Sequence, residues 1–150
     1  MIKYISDKLA ILYFIAYSVI LYIGIPYFVS SRNLPKLIEK FQKRKYRARD
    51  LQGAFHVLYP VEKTLYFLKR RLKIKKNYCF RKSLVLLYWL RKFHIMAVLN
   101  IGLKFKDERK TYGHCWLTLD HKVIFEKSDR YQQYNTLLGK KDCINYWTSS

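Results

Sequence analysis

Between Cys79 and Phe105 the spacing of apolar residues changes from that of a helix to that of a strand. In CFRKSLVLLYWLRK (Cys79–Lys92), Leu84, Leu87 and Tyr88 share one helical face, while Val85, Leu86, Trp89 and Leu90 make the rest apolar too. A helix apolar nearly all round has no side for water and sits in the middle of a fold. It starts at Asn77 or Tyr78 and closes on Arg91 and Lys92, cations suited to the negative end of a helix dipole. From Met96 to Phe105 the apolar residues alternate, at Ala97, Leu99, Ile101, Leu103 and Phe105. Asp107–Gly113 reads as a polar connection, His114–Leu119 as a second strand, Asp120–His121 as a turn and Lys122–Glu126 as a third strand. A central helix followed by an antiparallel sheet is an α+β arrangement.

The chain ahead of this block reads as helical. No residue from Leu9 to Val29 is charged, and a run of that length can cross a bilayer. Gly24, Pro26 and the tyrosines Tyr13, Tyr17, Tyr22 and Tyr27 suit a span poorly, so a helix buried against the rest of the domain is an equal alternative. A small-residue cleavage site of the signal-peptide kind is missing. Asn33 and Pro35 mark a helix start, with an amphipathic run from Leu34 to Phe41. Lys43–Arg49 (KRKYRAR) reads as a solvated basic face or loop. Gly53 and Pro60 break the next stretch, and Glu62–Lys76 forms a helix with Leu65, Leu68 and Leu72 on one face. The chain, 150 residues long, suffices for a single modest core. It divides into a helical N-terminal region, 1–50, and a mixed core, 51–150.

Composition narrows the partners. A hydrophobic fraction of 51% with 17% aromatics excludes a disordered basic tail. Thirty Lys and Arg against ten Asp and Glu give +20, a field that draws polyanions: nucleic acid, an anionic membrane or an acidic peptide. The basic residues are scattered and match no nucleic-acid reader, so nucleic acid is not the expected partner. Cys79, Cys115 and Cys143 form no CxxC pair, and their odd number argues against a disulfide framework and for reduced, cytosolic thiols. Cysteines and histidines lack metal-ligand spacing, and the five glycines are dispersed. Neither metal nor cofactor is expected.

Cys79 is the candidate nucleophile. It lies in the first turn of the central helix, where unpaired N–H groups and the helix dipole favour thiolate over thiol. Lys75, Lys76, Arg81 and Lys82 act in the same direction. The same N–H groups can support an oxyanion. A thiol nucleophile needs a base in reach and the base needs an orienting partner. His56 lies between helices, His94 past the far end of the central helix and His121 in a turn. His114 opens a strand beside the helix and is the best placed of the four. The third member depends on register. A three-residue turn, Leu119–His121, sets Glu126 opposite His114; a two-residue turn sets Lys127 there and makes Asp129 the acid. Glu126 is placed ahead of Asp129.

CFRKSLVLLYWLRKFHIMAVLNIGL (Cys79–Leu103) followed by HCWLTLDHKVIFE (His114–Glu126) resembles the transglutaminase-like leader peptidases of lasso-peptide clusters, the B proteins. Their pattern is Cys-x-x-Arg-Ser-Leu, a Leu-Arg-Arg-Gly helix end, an Ile-Gly-Val strand, His-Ala-Trp-Val-Glu, a turn and an acid. Cys79, Ser83, Leu84, Leu90, Arg91, Ile101, Gly102, His114 and Trp116 fall on it, over roughly residues 50 to 135. The resemblance implies a transglutaminase-like or papain-like core at 51–150. It implies a cysteine peptidase that removes the leader of a ribosomally made precursor, with Cys79, His114 and Glu126 as catalytic residues. The implied partners are that precursor, a separately encoded leader-recognition protein and an ATP-dependent cyclase. Phe93–His94 replaces the family's Gly, Cys115 its Ala and Thr118 its Glu, and its usual aspartate position falls on Glu126. Two rivals share the composition. One is a membrane-associated basic protein without catalysis, anchored through residues 9–29; the other is a transglutaminase-like amidase or acyltransferase on the same fold.

Overall fold

The computed structural model describes residues 2–28, 36, 51–73, 77–107, 110–126, 132 and 135–136. Within them three helices precede the strands: α1 (Ile2–Phe28), α2 (Leu51–Arg71), α3 (Tyr78–Lys92), β1 (Val98–Asp107), β2 (Lys110–Leu119), β3 (Lys122–Ile124) and β4 (Asn135–Thr136). Apart from Lys36, the amphipathic run 34–41 lies outside the described residues. So do the basic cluster 43–49, Lys75, Lys76, Asp129 and Cys143.

The α3 helix occupies the centre, as its all-round apolarity requires. Phe80, Ser83, Leu84, Val85, Leu86, Leu87, Trp89 and Leu90 are buried, and α1, α2, β1 and β2 all pack on it. Its end is closed by main-chain bonds. The His94 N–H bonds Arg91 O at 3.1 Å and the Ile95 N–H bonds Leu90 O at 2.8 Å. This is the two-bond cap that follows a left-handed residue, and His94 takes that role with φ 60°. Ser83 Oγ donates to Cys115 O at 3.3 Å and fastens the helix to β2.

The break anticipated at Gly53 and Pro60 is corrected: α2 runs through both and stops at Arg71, ahead of Lys76. Proline cannot donate to the carbonyl of His56 one turn back. Against that, Ala54, Leu58, Val61 and Leu65 form a buried stripe at helical spacing. Burying four such side chains outweighs a proline cost of about 3 kcal/mol.

Both alternatives for the uncharged segment are half met. Tyr22 and Ser18 of α1 are fully buried, and Trp89 Nε1 donates to Ser18 Oγ at 2.7 Å. Phe14 packs edge-on to Trp89 at 4.5 Å, and Tyr17 stacks on Tyr88 at 6.0 Å. The opposite face, with Leu9, Leu12, Tyr13, Ile20, Ile23 and Tyr27, is exposed. By length and hydropathy Lys8–Tyr27 is also long and apolar enough to cross a membrane.

The sheet has the order β3-β2-β1-β4 and its strands are antiparallel. Asp107–Gly113 is not a plain connection, because β1 and β2 pair as far as Asp107↔Lys110. Ladder bonds are made by the main chain, so charged side chains do not end them. Between β2 and β3, Leu119 pairs with Lys122. Asp120 and His121 therefore make a two-residue turn, with φ of 47° and 64°, the geometry that matches strand twist. The third strand ends at Ile124, short of Glu126, where Phe125 turns to φ 58°.

Candidate active site

Cys79 is the second residue of α3. Asn77 caps the helix with φ 56° and its side chain makes no capping bond, so it leaves the first-turn N–H groups uncapped. His114 comes from β2, opposite Gly102 of β1. The β3 ladder stops before reaching that level. Trp116, two residues on and on the same face, stacks on the imidazole at 5.8 Å with 22° between planes.

The structure brings Cys79, His114 and Glu126 together. The thiol is hydrogen-bonded to His114. His114 Nε2 lies 3.1 Å from Glu126 Oε2, which leaves Nδ1 for the sulfur. The titration of the pair is inverted. Cys79 is lowered to about 5, first by the side-chain bond from Cys115, then, against the cost of burial, by His114 and by the Cys115 backbone. Burial pulls His114 down, but its bonds to Cys79 and Glu126 outweigh this and lift it to about 9. Both shifts favour thiolate and imidazolium over the neutral pair, a nucleophile deprotonated beside an acid already charged.

The register behind the Glu126 expectation is corrected. The turn is the two-residue one, which predicts Lys127 opposite His114. Glu126 gets there because Phe125 leaves the strand in the left-handed region. Asp129 lies outside the described residues. Of the other histidines, His56 is exposed on α2, His94 closes the far end of α3 and His121 is exposed in the turn. Among the described residues no group of three or more His, Cys, Asp or Glu could hold a metal ion.

Four features of the site lay beyond the sequence reading. Lys82, 6% exposed, donates to Phe125 O at 3.0 Å and stands 3.8 Å from Glu62 Oε1 and 3.9 Å from Glu126 Oε1. The cue available was a cation one turn past Cys79 in the central helix. Cys115 is fully buried against the nucleophile. Tyr22 and Tyr78 bring buried hydroxyls without a hydrogen-bond partner among the described residues. Burial raises both phenols, so they stay neutral beside the thiolate.

A thiol at a helix head, bonded to a strand imidazole that a carboxylate holds from behind, is the arrangement of cysteine-dependent acyl-transfer enzymes. The family model for the transglutaminase-like superfamily matches residues 21–139, and the chain belongs to that superfamily, whose members are typically cysteine-dependent enzymes. No curated protein and no solved structure matches the chain.

Proposed function

We propose that the chain is a leader peptidase of lasso-peptide maturation, a cysteine peptidase of the B-protein kind. The observation that carries this reading is the bonded series Cys79–His114–Glu126, with the thiol lowered to about 5 and the imidazole raised to about 9. The sulfur attacks the carbonyl at the leader–core junction and the C–S bond forms. The Cys115 N–H meets the sulfur, and the first-turn N–H groups of α3 are available to the oxyanion. The imidazolium gives its proton to the departing amine of the core as the C–N bond breaks. Neutral His114 then takes a proton from water, whose hydroxide releases the leader as a carboxylate. Glu126 fixes the ring and balances its charge.

The motif resemblance directs this chemistry to a ribosomally made precursor, presented by a separate leader-recognition protein and passed on to an ATP-dependent cyclase. The test is incubation of the protein and its Cys79→Ala variant with precursor and recognition protein, read by mass spectrometry. Leader and core masses that sum to precursor plus one water, and their absence with Cys79→Ala, support the reading. With a primary amine supplied, an uncut precursor that gains the mass of the amine less one ammonia moves the assignment to transglutamination.

The place of work we propose is the cytoplasmic surface of a membrane. The face of α1 that carries Ser18 and Tyr22 is fastened to the domain, and a spanning helix would have to leave Trp89. Leu9, Tyr13, Ile20, Ile23 and Tyr27 recur at helical spacing on the outer face. An apolar stripe on a chain of net charge +20 complements an anionic bilayer surface, whereas that charge repels a second copy.

A further inference from the structure

The β2–β3 hairpin is built to present the wrong residue to His114. Pairing of Leu119 with Lys122 sets the sum of partner numbers, and an unbroken ladder brings position 127, a lysine, to His114. A cation there disfavours imidazolium. What prevents it is one residue, Phe125, with φ 58°. A bulky aromatic residue enters that region only where its surroundings compel it.

Two groups hold Phe125. Its ring packs on Phe55 at 5.2 Å and Tyr59 at 6.0 Å, both from α2. Its carbonyl accepts a hydrogen bond from Lys82 Nζ at 3.0 Å. The ammonium is nearly excluded from water, and its distances to Glu62 and Glu126, 3.8 and 3.9 Å, are those of ion pairs rather than short bonds. Its close contact is thus to the backbone at the break, with a carboxylate on either side. The charges alternate along Glu62, Lys82, Glu126, His114 and Cys79, so each is flanked by its opposite. Tyr78 from α3, Tyr22 from α1 and the Cys115 thiol from β2 also face this series. The Arg81 guanidinium lies 5.8 Å from the Tyr22 ring centroid.

We infer that Lys82 is a positioning residue: by binding the Phe125 carbonyl between Glu62 and Glu126, it holds the break in the hairpin that sets Glu126 on His114. The inference rests on the acyl-transfer reading only for what the pair is used for; how the pair is held is independent of any substrate.

The test is the pH dependence of Cys79 alkylation by iodoacetamide, located by peptide mass spectrometry. It is run on the wild type, Lys82→Met, Lys82→Arg, Glu126→Gln and the Lys82→Met/Glu126→Gln double variant. Lys82→Met raises the pH of half-maximal rate by about one unit or more, and Lys82→Arg returns it to within about half a unit of wild type. In the Glu126→Gln background Lys82→Met adds no further shift, because its effect passes through the carboxylate. Should Lys82→Met fail to fold by circular dichroism, Lys82→Leu, which also lacks a donor, carries the same expectation. A folded variant with the wild-type profile, or a shift undiminished in the Glu126→Gln background, overturns the inference. A precursor left uncut by a protein with the expected profiles refutes the peptidase reading and leaves Lys82 in its role.

Discussion

Glu126 Oε2 lies 3.1 Å from His114 Nε2, although the register set by Leu119↔Lys122 assigns that place to residue 127. The contact is made by leaving the strand. It joins a group on β2 to a residue past the end of β3, so it depends on the backbone at Phe125 as much as on the carboxylate itself. An imidazolium facing a carboxylate on one side and a thiolate on the other is stable well above its ordinary range, and together with the Cys115 bond, the larger cause, it favours the ionised thiol.

Removing the carboxylate's charge should separate orientation from nucleophilicity. Glu126→Gln keeps the shape and an acceptor but loses the anion. Turnover is expected to fall by up to about 10⁴-fold, the loss seen when a triad's orienting acid is neutralised. His114 should titrate below the wild-type value of about 9, as read by NMR of the imidazole protons. Unchanged turnover and titration would remove Glu126 from the mechanism.

The neighbouring thiol gives a second handle. The side-chain bond from Cys115 is the largest cause of the lowered Cys79 titration. Cys115→Ala, which installs the residue the B proteins carry, is expected to raise the half-maximal pH of Cys79 alkylation by about one unit or more. Retention of the wild-type midpoint would show that His114 and the main chain at position 115 hold the thiolate without the second thiol.

Stability should follow the pair through linkage. The Cys79 thiol is lowered from 9.0 to about 5, so its contribution is fully present above 9.0 and lost as pH falls through about 5. The His114 ring is raised from 6.5 to about 9, so its contribution is fully present below 6.5 and lost as pH rises through about 9. The two slopes cancel between 6.5 and 9, leaving a net rise in stability from about pH 5 to 6.5 and a level region above it. Urea midpoints of wild type minus Cys79→Ser across pH 4.5 to 9 isolate this term. A difference that stays flat from pH 5 to 6.5 contradicts the ion pair.

The outer face of α1 predicts vesicle binding. The protein should sediment with vesicles rich in phosphatidylglycerol and less with phosphatidylcholine alone. Ile20→Glu/Ile23→Glu should weaken binding by about tenfold or more, since each apolar side chain contributes about 1.5–3 kcal/mol on burial. If the variant instead dissociates a dimer, measured by light scattering, the stripe serves a second copy.

Much of this architecture was legible because apolar spacing reports burial. The all-round pattern of Leu84–Leu90 placed α3 in the centre, and alternation from Ala97 placed β1 beside it. Spacing failed where the main chain or a distant partner decides. Pro60 stays helical because Ala54, Leu58, Val61 and Leu65 pack on other elements, which a local signal does not contain. The pairing of Asp107 with Lys110 is made by backbone groups that leave no mark in side-chain polarity. For the site, the positions of Cys79 and His114 followed from element type alone. The route to Glu126 did not, because it depends on the φ of Phe125 and on a lysine from another helix. The cue at Lys82, a cation one turn past Cys79 in the central helix, was present and was assigned only to long-range charge.

The most direct measurement of the central claim is the rate of Cys79 alkylation against pH in the wild-type protein. The account predicts a midpoint near 5, with Cys79 modified at neutral pH far faster than the buried Cys115. A midpoint between 8 and 9, close to the ordinary range of about 8.5 for a free thiol, would contradict it.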